Sequence, residues 1–187
     1  MKTHPDYLRA VWASFLIALV FWQLSSTWGL QIIQRGGHKE SIFGALMALN
    51  GFMVVLMELP LTSGTRRRPA VKVMMTGYAL VGVGMGMNIF GTSIAALVVV
   101  MIVVAMGEMI ALPVAQSYIA GLAPEEMRGR FMGMLGVAWN GATMLGPALG
   151  IALFKLSPNS VWIGCLFCGL GAAWLIRPRK FAELFVR

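Results

Sequence analysis

The chain has 187 residues and a formal net charge of +8, yet only 12% of its residues are charged and 58% are hydrophobic. Soluble domains carry about 25% charged residues, so the composition excludes a soluble globular protein and predicts an integral membrane protein. The basic residues lie between apolar stretches rather than along one continuous surface, which argues against nucleic-acid binding and makes them a guide to membrane topology.

Hydropathy and helix-breaking residues predict six membrane-spanning helices in one bundle, at about 11–33, 41–61, 73–90, 94–120, 131–153 and 161–176. The connecting loops are all far shorter than the roughly 50 residues of a compact domain. The predicted fold class is therefore an all-α membrane protein, with two inverted three-helix repeats. A weak internal similarity supports the repeats, because 48–51 and 138–141 share three of four residues.

The placement of charge predicts the topology. With both termini in the cytoplasm, all but three of the 15 Lys and Arg residues fall on the cytoplasmic side; the exceptions are Arg35, Lys39 and Lys155. This asymmetry follows the positive-inside rule. We therefore expect a multi-pass protein of the cell (inner) membrane with cytoplasmic termini.

The first predicted span carries a stripe of uncharged polar residues on its outer half: Gln23, Ser26, Thr27, Gln31 and Gln34. At 3.6 residues per turn these side chains share one helix face. Polar groups facing lipid are unfavourable, so the stripe faces either a water-filled substrate pathway or a neighbouring helix. We take Gln23, Ser26 and Thr27 as pathway candidates.

The fourth predicted span contains one charge, Glu108, near its centre. An ionised carboxylate at the bilayer centre costs on the order of 2.5–3.5 kcal/mol on insertion scales, so such residues usually face water or a partner. Pro113 frees the backbone carbonyl of Met109 and adds a polar patch nearby. Glu108 is the leading candidate for a proton or cation site, and a neutral, hydrogen-bonded structural acid is the competing interpretation. Asn50, Asn88, Gln116 and Asn140 are secondary pathway candidates, each with a helix-packing alternative.

Charged residues at the cytoplasmic face suggest a gate. Glu58 lies near the end of the second span, where an ion pair with the following basic cluster would act as a latch or as a plain salt bridge. The basic gate or latch candidates are Arg66, Arg67, Arg68, Arg128 and Arg130. For the last two, contact with lipid phosphates is an equally good interpretation.

The residue inventory argues against an enzyme. The two histidines, His4 and His38, flank spans rather than lie within them, so no intramembrane Ser–His pair or two-histidine metal site is expected. Cys165 and Cys168 lie in an apolar stretch without further ligands nearby, and we expect packing or lipid-facing thiols. We predict neither a cofactor nor a metal.

Several segments together resemble the C-terminal half of a major facilitator superfamily transporter, and drug:proton antiporter-like members most. The resemblance rests on Gln23-Leu24-Ser25-Ser26, Leu49-Asn50-Gly51, Glu58-Leu59-Pro60-Leu61, Gly107-Glu108-Met109 and, most specifically, 123–133 from Ala123-Pro124-Glu125-Glu126 through Arg128-Gly129-Arg130. It implies two six-helix bundles that rock about a central site. One departure is in 62–68, which keeps the family's basic cluster but lacks its Asp, so a charge relay through this loop is not expected.

The resemblance implies a secondary transporter that expels small molecules in exchange for protons by alternating access. One six-helix bundle supplies only half of such a cavity, so the expected partners are the bilayer, a small-molecule substrate, and a complementary six-helix half or a second copy. A fragment, a split half and a dimer subunit all fit the sequence. The alternative function is a non-transporting membrane scaffold or assembly subunit.

Overall fold

The computed structural model describes residues 5–65 and 67–178, and these residues form helices and no strands. Six helical spans are long and apolar enough to cross a membrane: Pro5–Arg35, Glu40–Thr65, Ala70–Ile89, Ile94–Leu122, Glu125–Leu156 and Pro158–Leu175. We number them first to sixth. The fold is thus an all-α membrane fold, as predicted. His4 and Arg66 of the sequence argument lie outside the described residues.

The helices are longer than the hydropathic stretches that predicted them. The first span begins at Pro5 rather than near residue 11, and the fifth continues to Leu156. Hydropathy marks only the part of a helix that lies in hydrocarbon, whereas backbone hydrogen bonding continues into the headgroup region.

The packing order repeats between the two halves of the chain. The second span packs against the fourth, and the fifth correspondingly packs against the first. The third and sixth spans pack against each other, and each also contacts the leading span of the other half. Exchanging spans one to three with spans four to six therefore preserves the arrangement, as two inverted three-helix repeats require.

Glycines permit the closest helix approaches. A Cβ added at Gly82 of the third span would lie 2.8 Å from the Gly169 Cα of the sixth, and one added at Gly77 would lie 2.7 Å from the Gly107 carbonyl oxygen of the fourth. Without a hydrophobic driving force in lipid, such close backbone contact is a main source of helix association. The third span consequently packs closely against both the fourth and the sixth.

Hydrogen bonds close both ends of the bundle. At the end where the first span begins, here called the N-terminal face, the Tyr7 hydroxyl donates to the Phe131 carbonyl at 2.8 Å. At the opposite, far face, the Arg35 guanidinium donates to the Asn159 side chain at 2.7 Å.

The six spans are unequally buried. In the most apolar window of each helix, 11% of residues in the second span and 17% in the fifth are buried, against 33–50% in the other four. The second and fifth spans therefore form the outside of the bundle, with large apolar side chains such as Phe52 and Met144 exposed.

Candidate functional site

Glu108 lies between the second and fourth spans. Its neighbour Gly107 packs against Gly77 of the third span, and the 100° turn per residue of a helix directs Glu108 to a different side. Two polar residues of the second span meet it there: the Asn50 amide faces its carboxyl group, and the Glu58 carboxylate lies close enough to interact with its charge. Asn50 and Glu58 are eight residues apart on one helix and so share a face.

A cavity of about 90 Å³ adjoins this group and is lined by Val54, Glu58, Glu108, Met109, Leu112 and Pro113. A single water needs only about 10–15 Å³ of this kind of space, so the cavity is large enough for several waters or a small cation. Two carboxyl groups line it, which makes it a polar space in an otherwise apolar part of the bundle.

Two oxygen atoms of this group are buried without a partner. Glu108 Oε2 and Asn50 Oδ1 are both buried, and neither accepts a hydrogen bond from the described residues. An unsatisfied buried polar atom costs about 1–3 kcal/mol. The group is therefore suited to bind a proton, a water or a cation that satisfies these oxygens.

Pro113 shapes the fourth span beside the cavity. The helix runs through it from Ile94 to Leu122, and because proline has no N–H, the Met109 carbonyl lacks its ordinary helical donor. Met109 and Pro113 both line the cavity. The polar backbone patch that the sequence predicts here thus adjoins the cavity that both carboxyl groups line.

The expected ion pair between Glu58 and the basic cluster is not present for Arg67 or Arg68; the ion pair found within 5–65 and 67–178 joins Asp6 and Arg9. The second helix continues through Pro60 to Thr65, which separates Glu58 from its end by about 10 Å at 1.5 Å per residue. Glu58 instead lines the Glu108 cavity. Arg66 lies outside the described residues.

The inner part of the polar stripe on the first span makes its hydrogen bonds inside the bundle. Gln23 Nε2 donates to the Gly146 carbonyl of the fifth span at 2.7 Å, and Thr27 donates to Gln23 Oε1 at 2.7 Å. Both residues are at most 5% exposed. The sequence left open whether these side chains face a water-filled pathway or a neighbouring helix, and the structure shows contact with a neighbouring helix. A pathway role for them stays a prediction.

A second buried polar network lies nearer the far face. Trp28 Nε1 donates to Asn88 Oδ1 at 2.7 Å, Gln31 Nε2 donates to the Asn88 carbonyl at 3.0 Å, and Trp162 Nε1 donates to Gln31 Oε1 at 3.2 Å. These four residues, here called the tryptophan network, join the first, third and sixth spans. The two tryptophans had no part in the sequence argument, because an apolar helix gives no sign of which indole N–H will meet a partner.

The first span is irregular where it carries the stripe. Its regular helix Pro5–Ser25 is interrupted at Ser26, whose φ of −114° and ψ of −82° are not helical, and it ends in a π-helix over Gln31–Arg35. The Ser26 hydroxyl donates back to the Trp22 carbonyl at 2.7 Å. Such side-chain bonding to the preceding turn and π-helical turns both bend helices, and π turns are frequent at functional sites.

The remaining candidates lie on accessible surface. Gln116 is exposed, as are Arg128 and Arg130 at the start of the fifth helix. Asn140 is also exposed, and its amide donates to the Gly136 carbonyl of its own helix at 2.9 Å. The structure does not bring these four residues to the Glu108 cavity. Within the described ranges, no group of three or more His, Cys, Asp or Glu is placed to hold a metal ion.

Six long apolar helices packed in one bundle define a multi-pass membrane protein. Comparison with known families gives the narrower assignment: the Major Facilitator Superfamily model matches residues 10–185. The chain belongs to that superfamily, as the sequence motifs indicated.

Individual relatives are consistent with this family assignment. The chain is 24% identical to the uncharacterized MFS-type transporter YqjV of Bacillus subtilis, over 80% of this chain and 37% of the relative. It is 28% identical to a Na(+), Li(+), K(+)/H(+) antiporter of Planococcus maritimus, over 67% of this chain and 28% of that protein. The uncharacterized MFS-type transporter YdeE of Escherichia coli is 26% identical over 79% of this chain and 37% of the relative. The chain thus spans less than half the length of these relatives.

Proposed function

We propose that the chain forms one six-helix lobe of a proton-coupled secondary transporter, and that Glu108 takes up and releases the coupling proton or cation. The observation that carries this proposal is the cavity in which Glu108 and Glu58 lie together while Glu108 Oε2 and Asn50 Oδ1 lack partners. A structural acid would be expected to have both oxygens satisfied, because buried polar groups are nearly always paired.

In the proposed mechanism, charge changes at the Glu108 cavity accompany alternating access. Two carboxylates in one low-dielectric space repel each other, so binding of a proton or a monovalent cation between them is favoured. The antiporter of Planococcus maritimus, whose printed name specifies Na(+), Li(+) and K(+) exchange with H(+), supports this type of coupling. The proposed transport is efflux of small molecules.

A complementary six-helix lobe completes the proposed transporter. The second and fifth spans are little buried within this bundle, and Gly129, Gly133 and Gly136 of the fifth have no neighbour within 4 Å of an added Cβ. Small residues allow close helix approach in lipid, so this surface suits another lobe. The proposed substrate pathway runs between the two lobes, past Ser26, Asn50, Gln116 and Asn140. A pathway role for Gln23 and Thr27 requires their buried contact with the fifth span to open during transport.

We propose that the protein lies in the inner membrane with both termini in the cytoplasm, because most Lys and Arg residues then fall on the cytoplasmic side. The N-terminal face is then the cytoplasmic face. Arg67, Arg68, Arg128 and Arg130 are exposed at that face, and a gating role for them and for Glu58 is part of the proposal.

Substitution of Glu108 by Gln tests the coupling. In everted membrane vesicles containing the chain with its complementary lobe, we expect pH-gradient dissipation on addition of Na⁺, K⁺ or ethidium to be lost, because a glutamine amide cannot take up and release a proton as a carboxyl group does. The readout is a pH-sensitive dye. Glu125→Gln, which removes an exposed carboxylate outside the cavity, is the matched control and should leave the response unchanged.

Equal membrane insertion of both variants, measured by immunoblot of the membrane fraction, must accompany the comparison. If Glu108→Gln vesicles respond like the unsubstituted protein, Glu108 has no part in coupling. A response absent from every form, with the chain found bound to an unrelated membrane protein, favours the scaffold function instead.

A further inference from the structure

The N-terminal face contains a second cavity, separate from the Glu108 cavity and much larger, at about 340 Å³. It lies where the second span ends and the third begins, against the side of the fourth. The lining side chains that matter here are Thr65, Arg68, Lys72, Val73, Thr76 and Ile110. We refer to it as the basic cavity.

The charge of the basic cavity is entirely positive. Arg68 and Lys72 line it, no Asp or Glu does, and neither basic side chain has an ion pair within residues 5–65 and 67–178. The third helix also begins here at Ala70, with no side chain capping its start. Its first backbone N–H groups therefore add partial positive charge at the same place. An anion is the complementary ligand.

The basic cavity continues from polar to apolar surroundings. Gly77 of the third span packs against Gly107 and Ala111 of the fourth, so Ile110 is level with a point about 10 Å below the start of the third helix at 1.5 Å per residue. Arg68 and Lys72 are at the helix start, whereas Val73 and Ile110 line the deeper part with Thr76, whose hydroxyl donates to the Lys72 carbonyl of its own helix. A ligand that fits this arrangement has an anionic head and an apolar tail.

We propose that the basic cavity binds the phosphate diester of an anionic phospholipid, with Arg68 and Lys72 at the phosphate and the acyl chains directed past Val73 and Ile110. Basic pockets between membrane helices are known to hold anionic headgroups, and each Lys or Arg near such a surface contributes on the order of 1 kcal/mol. The proposal needs only the bundle in a membrane and is independent of transport.

A free phosphate ion would satisfy the same positive charges but not the apolar depth of the basic cavity. The phospholipid is favoured because Val73 and Ile110 offer nothing to an inorganic ion. The two ligands are distinguished by competition, since inorganic phosphate should not displace a phospholipid that is also held by its acyl chains.

The test measures retention of phosphatidylglycerol by the purified full chain in neutral detergent micelles, using native mass spectrometry across a lipid titration. Arg68→Gln with Lys72→Gln removes both proposed ligands. Lys39→Gln with Lys155→Gln is the matched control, because it removes the same charge from exposed positions at the far face. Phosphatidylcholine and inorganic phosphate serve as a neutral lipid and a competing ion. Circular dichroism verifies that helix content is equal in all forms.

We expect the Arg68/Lys72 double variant to bind phosphatidylglycerol about 30-fold more weakly, the equivalent of about 2 kcal/mol for two charges, and the control variant to lose less than threefold. Phosphatidylcholine should bind more weakly to all forms, and phosphate should not compete. Equal losses in the two double variants would show general surface attraction and overturn the proposal. Displacement of the lipid by equimolar phosphate would overturn it too, in favour of a free-anion site.

Discussion

Gly150 illustrates how single residues decide whether a polar side chain can be buried in this bundle. A Cβ at Gly150 would overlap Gln23 Oε1 and Thr27 Oγ1, the two atoms that are hydrogen-bonded to each other between the first and fifth spans. Gly146 and Gly150 are four residues apart, a spacing that favours close helix packing. That spacing does not indicate that an amide of the first span fills the space.

Alanine at Gly150 should therefore destabilise the bundle. Adding a methyl group to a filled contact typically costs about 1–3 kcal/mol, to which the disturbed Gln23 hydrogen bonds add. The measurement is unfolding in mixed detergent micelles, followed by circular dichroism. Gly136→Ala is the matched control on the same helix, since its added Cβ meets nothing within 4 Å and should change stability little. Similar stability of both variants would mean that the helices adjust at Gly150 without cost.

Glu108 shows the limit of prediction for the candidate site itself. One charge in a long apolar stretch was sufficient to select this residue, because lipid makes any such charge exceptional. Its association with Asn50 and Glu58 was not predictable in the same way. That association requires the second span to pack against the fourth, a long-range pairing that local pattern does not contain.

At the scale of whole helices, the existence and order of the spans were predictable, whereas the interruption of the first span at Ser26 and the hydrogen bonds that hold its far end were not. Six apolar stretches specified six spans, since backbone groups in lipid must be bonded within each helix. The interruption at Ser26 and the π-helix Gln31–Arg35 depend instead on side chains that meet other helices. The tryptophan network fixes this irregular end of the first span to the third and sixth.

Asn88→Ala tests this bracing. It removes the acceptor of the Trp28 indole N–H and leaves that buried donor without a partner, which should cost about 1–3 kcal/mol. Unfolding in mixed micelles and near-ultraviolet circular dichroism of the tryptophans are the measurements. Asn140→Ala removes an amide bonded only within its own helix and should be almost neutral. Equal effects of the two substitutions would show that the network does not stabilise the bundle.

For the whole molecule, the uneven burial of the spans indicates where another lobe would dock. The second and fifth spans carry exposed apolar side chains and glycines that no other helix contacts. The chain spans 37% of the length of the relatives YqjV and YdeE. The sixth span is also accessible through side chains such as Phe167, which is 69% exposed. Accessibility alone does not separate a docking surface from a lipid-facing one.

Cysteine crosslinking in native membranes separates them. In a background with Cys165 and Cys168 replaced by Ala, single cysteines at Phe52 and Met144 should crosslink to a partner lobe, whereas one at Phe167 should not. All three side chains are more than 60% exposed in this bundle, so a difference in crosslinking does not come from a difference in exposure. Mass spectrometry of the product identifies a complementary lobe or a second copy. Equal crosslinking at all three positions would contradict docking through the second and fifth spans.

By itself, the sequence determined that this chain crosses the membrane six times with helices and carries one exceptional carboxyl group among them. These properties depend on the transfer of residues into hydrocarbon and on backbone hydrogen bonding within single helices, both of which are local. Only the tertiary structure decided which polar groups meet. The burial of Gln23 against Gly146, the cavity that Glu58 shares with Glu108, and the basic cavity each depend on packing between helices far apart in the chain. There, backbone approach is set by small residues and side-chain shape rather than by polarity.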